Sequence, residues 1–148
     1  MRTHPVVVTA LLLILSAFTA SLAFGDGIDT VSITVTIPFG GLPPLFGITI
    51  RSELPFGYGV ASLLISPSGQ TLIRGGAELP LGEGGSYLVM TGGIAYFDLN
   101  ANLPSPVFGG GLSYRMPAHG LQFGIDGELI YPIALGPPLL SLEGGWSK

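Results

Sequence analysis

Cysteine is absent from the 148-residue chain, which excludes disulfide bonds and thiolate metal sites. Charged residues make up only 9% of it, against about 25% in typical soluble domains. The formal net charge is −4 and no basic patch occurs, so nucleic acid is not an expected partner. Walker-type, dinucleotide-binding and zinc-ligand spacings are missing as well, so we expect no cofactor and no metal.

Helical periodicity is also missing beyond residue 24. The 24 glycines and 13 prolines recur too often for helix interiors, which both residues disrupt. So much glycine and proline can indicate disorder, but apolar residues make up 47% of the chain and argue against it. What remains is a series of extended segments separated by turn residues, within a chain short enough for one domain.

The N-terminus has the pattern of a secretory signal. Arg2 precedes the apolar run 6–15, and Ser21-Leu22-Ala23 places small residues at the positions that a signal peptidase reads. We predict a signal helix over 1–23 that is cleaved from a β-barrel domain over 24–148. The alternative is that the same apolar stretch stays attached as a membrane-spanning helix. Cleavage would leave four basic and nine acidic residues, a formal charge of −5.

Eight extended segments follow the signal. They cover about Asp29–Ile37, Phe46–Leu54, Tyr58–Ser66, Thr71–Leu79, Ser86–Asp98, Val107–Met116, Leu121–Tyr131 and Leu139–Ser147. Most have the length of about 9–11 residues that a tilted transmembrane β-strand needs. Six of them alternate apolar and polar residues, as strands with two different faces do. In the third and fifth segments both faces are largely apolar or small, so their orientation stays open.

The polar faces of these segments collect eight charged residues. They are Arg51, Glu53, Arg74, Glu78, Arg115, Asp126, Glu128 and Glu143. Eight charges are too few to cover a soluble domain, but they suit the interior of an eight-stranded barrel, which is just wide enough for side chains. The opposite faces of the unambiguous segments carry no charge, as contact with hydrocarbon requires, since a mid-bilayer Arg or Lys costs about 2–4 kcal/mol. The sequence therefore predicts an all-β fold, an antiparallel up-and-down transmembrane β-barrel of about eight strands with a lumen ion-pair cluster.

Aromatic residues gather near the ends of the segments. They are Phe56, Tyr58, Tyr87, Phe97, Tyr114, Tyr131 and Trp146. Transmembrane barrels place such residues in girdles at the two membrane interfaces. We therefore expect these side chains on the outer surface of the barrel.

Over residues 28–147 this pattern resembles the small eight-stranded outer-membrane barrels of the OmpA and OmpX type. The resemblance implies secretion to the outer membrane, contact with outer-membrane lipid and folding by the barrel-assembly machinery. It also implies that the eight charged residues form an acidic and basic cluster in the lumen. Such barrels end on an aromatic residue that the machinery reads, whereas here Trp146 is followed by Ser147 and Lys148.

These features favour a non-enzymatic barrel with a structural or surface-interaction role and a narrow, side-chain-filled lumen rather than a wide pore. The alternative from another class is a secreted soluble β-barrel or sandwich that binds a small apolar ligand or assembles with partners. A third hypothesis is a lipid hydrolase that uses His119 as a general base. Ser113 lies six residues from it and no acid is adjacent, so an exposed turn residue is the favoured interpretation of His119.

Asp126 and Glu128 share one face of their strand, so their carboxylates could do acid–base work or bind calcium. Calcium-loop spacing is absent and three arginines are available, so structural ion pairing is favoured.

Glycines fall in the middle of four segments, at Gly75-Gly76, Gly92-Gly93, Gly109-Gly110-Gly111 and Gly144-Gly145. We interpret them as sites of curvature in a narrow barrel. The alternative is that they admit a molecule into the lumen or let barrels associate.

Overall fold

The protein is described here by a computed structural model that covers residues 28–39, 41–97, 104–118, 120–131 and 138–147. It contains β1 (Thr30–Pro38), β2 (Leu45–Leu54), β3 (Gly57–Ile65), β4 (Thr71–Pro80), β5 (Ser86–Tyr96), β6 (Ser105–Ala118), β7 (Leu121–Tyr131) and β8 (Leu139–Ser147). All eight predicted strands are confirmed. The predicted signal peptide lies outside the described residues. Within those ranges, no helix is long and apolar enough to cross a membrane.

The strands form a closed antiparallel barrel in chain order. Each strand pairs with the next one, and β1 closes the barrel by pairing with β8 from Thr30 opposite Ser147 to Pro38 opposite Leu139. Closure gives every strand two hydrogen-bonded neighbours, so the sheet has no open edge. The predicted up-and-down, all-β architecture is therefore confirmed.

The barrel has two distinct ends. The terminal end is the one at which β1 begins and β8 ends, and it also carries the β2–β3, β4–β5 and β6–β7 connections. The far end carries the other four connections. Because successive strands run in opposite directions, every second connection returns to the same end.

Side-chain alternation determines which residues face the interior. In β1, Thr30, Ser32, Thr34 and Thr36 are buried, while the intervening residues are partly or fully exposed. The structure shows which faces of the third and fifth segments, left open by the sequence, point into the barrel. In β3, Val60 and Ser62 line the interior, and in β5, Val89 and Thr91 do.

The far half of the interior is apolar, which the sequence pattern did not predict. A cluster of buried side chains, here called the apolar plug, fills it: Leu45, Leu64, Leu72, Ala95, Val107, Ile130 and Leu139. Phe97, which the girdle prediction placed on the outer surface, packs against this plug. Each plug residue lies within two positions of a strand end at the far end, so the plug closes that end of the barrel.

Six glycines within the strands mark places where neighbouring strands approach too closely for any side chain. A Cβ atom at Gly47, Gly57, Gly76, Gly93, Gly111 or Gly145 would collide with a backbone carbonyl of the adjacent strand. At the neighbouring Gly75, Gly92, Gly110 and Gly144, a Cβ atom would meet atoms only at ordinary contact distance. One glycine of each mid-strand group is thus required by the backbone, which supports the interpretation as sites of curvature.

Candidate functional site

The terminal half of the interior holds a cluster of buried charges, here called the ion-pair cluster. It comprises Arg51, Arg74, Glu78, Arg115, Asp126, Glu128 and Glu143, none more than 9% exposed. The strands β2, β4, β6, β7 and β8 supply these residues. Each side chain points to the inner face because it belongs to the alternate residues of its strand that are buried. Burial at this level requires partners, since an isolated charge inside a protein is very costly.

Arg51 joins two acids that come from opposite directions around the barrel wall. Its Nη1 donates to Glu143 Oε2 at 2.6 Å, and its Nη2 donates to Glu143 Oε1 at 2.9 Å. On its other side, Nε donates to Glu78 Oε2 at 3.0 Å, and Nη2 donates to Glu78 Oε1 at 3.0 Å. Paired bonds of this kind match the planar guanidinium to a carboxylate and fix both groups. Neither β4 nor β8 is a ladder neighbour of β2, so these bonds cross the lumen.

Arg115 reaches the same acid from β6. Its Nη2 forms an ion pair with Glu78, which therefore serves two guanidinium groups. The guanidinium carbon lies 4.5 Å from the centre of the Tyr87 ring and 5.2 Å from that of Tyr58. The two rings meet edge to face, with centroids 5.8 Å apart. A cation this close to aromatic faces gains from the ring quadrupoles.

The positions of Tyr58 and Tyr87 correct the girdle prediction, which placed both on the outer surface. Both rings lie against Arg115 in the interior. The error arose because β3 and β5 have apolar or small residues on both faces, so alternation could not orient them. The signal that could have found them is register: Tyr58 lies opposite Glu78, an inward residue of the adjacent strand.

A second ion pair lies nearer the apolar plug. Arg74 Nη1 donates to the carboxylate of Glu128, and Arg74 Nε donates to Ser62 Oγ at 3.1 Å. This pair also crosses the lumen, from β4 to β7. Asp126 and Glu128, which share one strand face, therefore have different surroundings. Glu128 has an arginine partner, whereas the carboxyl group of Asp126 lies beside Glu143 and Ser113, and its Oδ1 has no hydrogen-bond partner among the described residues.

Glu53 differs from the prediction. Its side chain is exposed near the end of β2, while Arg51 and Ser52 are both buried. Alternation is thus interrupted before the strand ends, and Glu53 lies at the rim, where its backbone N–H donates to the carboxylate of Asp29 at 2.5 Å. Without Glu53, the interior holds four acids and three arginines, a formal charge of −1.

Hydroxyl groups complete the inner wall beside the charges. Thr34 Oγ1 and Thr49 Oγ1 are 2.7 Å apart, joining β1 to β2. Thr36 Oγ1 and Ser141 Oγ are also 2.7 Å apart, joining β1 to β8. Alternation placed these residues on polar faces, and the structure pairs them across neighbouring strands.

Little free space remains between these side chains. The cavity bounded by Arg51, Glu78, Asp126, Glu128 and Glu143 has a volume of about 10 Å³, which suffices for about one water molecule. Such an interior can brace the wall and obstruct solutes. Over the described ranges, no group of His, Asp or Glu side chains is arranged to hold a metal ion. His119 lies outside those ranges, whereas Ser113 is buried on the inner face of β6.

No protein-family model matches this chain, and no curated protein or solved structure matches it either.

Proposed function

We propose that this protein is an integral outer-membrane β-barrel with a structural or surface-interaction role and a narrow, side-chain-filled lumen. The observation that carries the proposal is the distribution of polarity, which is the reverse of that in a water-soluble protein. Seven charged side chains are buried inside the barrel. Large apolar side chains are exposed on the outer faces of β1, β2, β3, β5, β6, β7 and β8.

The outer apolar surface is extensive. Its most exposed members are Leu129 at 68%, Phe108 at 64%, Trp146 at 63%, Ile33 at 61% and Leu112 at 60%. Monomeric soluble proteins rarely expose contiguous apolar patches larger than a few hundred Å². A lipid bilayer removes this cost, because hydrocarbon surrounds the apolar side chains. Tyr114, opposite the first residue of β5, and Trp146, next to the last residue of β8, are exposed towards the terminal end and suit the membrane interface.

The backbone suits a bilayer for a separate reason. A membrane interior offers no water, so every backbone N–H and C=O group needs a protein partner. The closed ladder supplies these partners around the whole circumference. The strands contain between 9 and 14 residues, and about 9–11 residues suffice for a tilted strand to cross the hydrocarbon core.

The filled interior supports a role other than wide-pore transport. The apolar plug closes the far half, and the ion-pair cluster occupies the terminal half. We assign the barrel no catalytic function. In this proposal residues 1–23 direct secretion and are removed, and the barrel-assembly machinery inserts residues 24–148 into the outer membrane.

Cell fractionation tests the membrane assignment. The full chain is expressed in a Gram-negative host, and the envelope is extracted first with high salt and then with detergent. We expect the processed chain only in the detergent extract, with a gel mobility that changes on heating. A chain that lacks residues 1–23 is the matched control, and it should stay in the cytoplasm. Recovery of the full chain in the soluble periplasm or the medium would contradict the proposal and favour the secreted soluble barrel.

A further inference from the structure

Buried polar atoms without partners are concentrated in one patch of the inner wall. Within the described ranges, six such atoms are found, and they belong to Ser113, Arg115, Gln122 and Asp126. All four residues lie on β6 and β7, the two strands that Ser113 and Asp126 join as register partners. One of the six atoms, Arg115 Nη2, has the carboxylate of Glu78 as an ion-pair partner. The other five are here called the β6–β7 polar patch.

Polar atoms at this depth need a hydrogen-bond partner. Ser113, Arg115 and Asp126 are each only 3% exposed. Leaving one buried donor or acceptor unsatisfied costs about 1–3 kcal/mol, and more when the group is charged. Ser113 and Asp126 lie next to each other and interact, so the cost falls mainly on the donors of Arg115 and on Gln122 Oε1, and it is still considerable for a single domain. The patch therefore requires an occupant.

The chemistry of the patch identifies the kind of occupant. Arg115 Nε and Nη1 can only donate, Gln122 Oε1 can only accept, Asp126 Oδ1 can accept, and Ser113 Oγ can do either. The charge of Arg115 is already paired with Glu78, so the patch offers hydrogen-bond donors and acceptors rather than a charge to neutralise. It therefore suits a neutral molecule that both donates and accepts.

The backbone leaves room for a small molecule at this point. Gly124 lies opposite Arg115 in the β6–β7 ladder and carries no side chain into the interior. A Cβ atom placed there would have its nearest neighbours, Arg115 Cγ and the carbonyl oxygen of Tyr114, at 3.6 Å. The missing side chain at Gly124 therefore leaves a space of about one heavy atom beside Arg115.

Access to the patch is possible from one end only. Gln122 is the second residue of β7, next to the β6–β7 connection at the terminal end, and it is only partly buried. Towards the far end, Val107 on β6 and Ile130 on β7 belong to the apolar plug, and each is 3% exposed. The plug therefore blocks entry from the far end, which leaves the terminal end, beside Gln122, as the direction of entry.

We propose that the β6–β7 polar patch is an internal hydration site, in which water molecules link Arg115 and Ser113 to Asp126 and Gln122. The terminal half of the barrel is then a wet vestibule that ends at the apolar plug. This inference depends on the barrel interior alone, and it holds whether or not the outer surface contacts lipid.

Cysteine labelling tests the vestibule, because the natural chain has no cysteine. Ser113→Cys exchanges one small polar group for another in the patch, and Val107→Cys on the same inner face of β6 is the matched control in the plug. The folded barrels, purified in detergent, are treated with a small water-soluble methanethiosulfonate. We expect complete modification of S113C, and modification of V107C only after unfolding. Protection of S113C equal to that of V107C would overturn the proposal. If S113C does not fold, Gln122→Cys provides the same comparison nearer the entrance.

Diffraction distinguishes water from an ion. Crystals of the natural barrel are grown in sodium chloride and in rubidium bromide, whose ions give anomalous signals. We expect the same non-anomalous density in both, within about 3 Å of Asp126 Oδ1 and Arg115 Nη1. An anomalous peak in the patch would identify an ion site and overturn the proposal. A direct Arg115–Asp126 ion pair with no density between the two strands would overturn it as well.

Discussion

Arg51 and Glu78 are held together by paired hydrogen bonds across the lumen, with Nε to Oε2 and Nη2 to Oε1 both at 3.0 Å. They belong to β2 and β4, which are separated in the sheet by β3. Glu78 also pairs with Arg115 of β6, and Arg51 also binds Glu143 of β8. These two residues therefore connect four strands through the interior, in addition to the backbone ladder around the wall.

Removing the charge of Glu78 should destabilise the barrel strongly. Glu78→Gln leaves Arg115 facing a neutral amide inside the protein, while Arg51 keeps only Glu143. Breaking a buried pair on one side costs about 3–5 kcal/mol, because the remaining charge stays buried without compensation. The measurement is urea unfolding of the purified barrel in detergent, followed by gel mobility of unheated samples.

Glu53→Gln is the matched control for this substitution. Glu53 is exposed at the rim, and surface substitutions of this kind usually change stability by no more than about 0.5 kcal/mol. Equal unfolding midpoints for the two variants would show that the interior pairs do not brace the barrel.

The extent to which the sequence predicts this fold differs between β1 and β5. In β1, Ser and Thr alternate with Val and Ile. This alternation alone indicates both that the segment is a strand and which of its faces points inward. In β5, Leu88, Val89 and Met90 follow one another, and only pairing with β4 and β6 shows that Val89 points inward. Alternation is a local signal, whereas the orientation of an apolar strand depends on neighbours far away in sequence.

The same distinction applies to the candidate site. Alternation placed seven of the eight predicted charges in the interior, but it could not indicate that Arg51 binds Glu143, 92 positions away. Such partners depend on barrel closure and on the distance across the lumen. The exposure of Glu53 depends on how β2 ends. The apolar plug depends on which inward-facing residues of different strands lie at the same height along the barrel axis. Neither property is encoded in a two-residue period.

Gly93→Ala should impair folding, whereas Gly92→Ala should not. A Cβ atom at Gly93 would collide with the backbone carbonyl of Ile73. Relieving such a clash requires a backbone shift in a closed ladder, and overpacking of this kind costs about 1–3 kcal/mol. At Gly92 the added methyl group would meet the ring of Phe108 at 3.7 Å, an ordinary contact. The measurement is the fraction of each variant that migrates as folded barrel without heating.

If Gly92→Ala impaired folding as much as Gly93→Ala, the small residues would have a role on the outer surface, such as contact between barrels. Equal, native-like folding of both variants would show that the close approach at Gly93 is not required.

Leu72→Ala tests the apolar plug. Leu72 is fully buried and lies opposite Leu64 in the β3–β4 ladder. Truncating a buried leucine costs about 2–5 kcal/mol, because transfer energy is lost and a cavity remains. Ile65→Ala is the control, since Ile65 follows Leu64 directly but is 44% exposed on the outer face. Denaturant titration should show a clearly larger loss of stability for Leu72→Ala, and the opposite order would contradict the interior position of the plug.

Arginine substitutions on the outer face separate the membrane barrel from a soluble one. Ile125 is 43% exposed on the outer face near the middle of β7 and lies close to the middle of the hydrocarbon region under our proposal, whereas Leu81 is 54% exposed in the β4–β5 connection at the terminal end. Ile125→Arg should destabilise the barrel folded in lipid vesicles by about 2–4 kcal/mol, and Leu81→Arg, near the interface, by about 0–1 kcal/mol. In a soluble barrel both side chains already face water, so both arginines would be tolerated alike. Folding titrations of the two variants in vesicles, compared with the natural chain, measure this difference directly, and equal values would contradict the proposed membrane location.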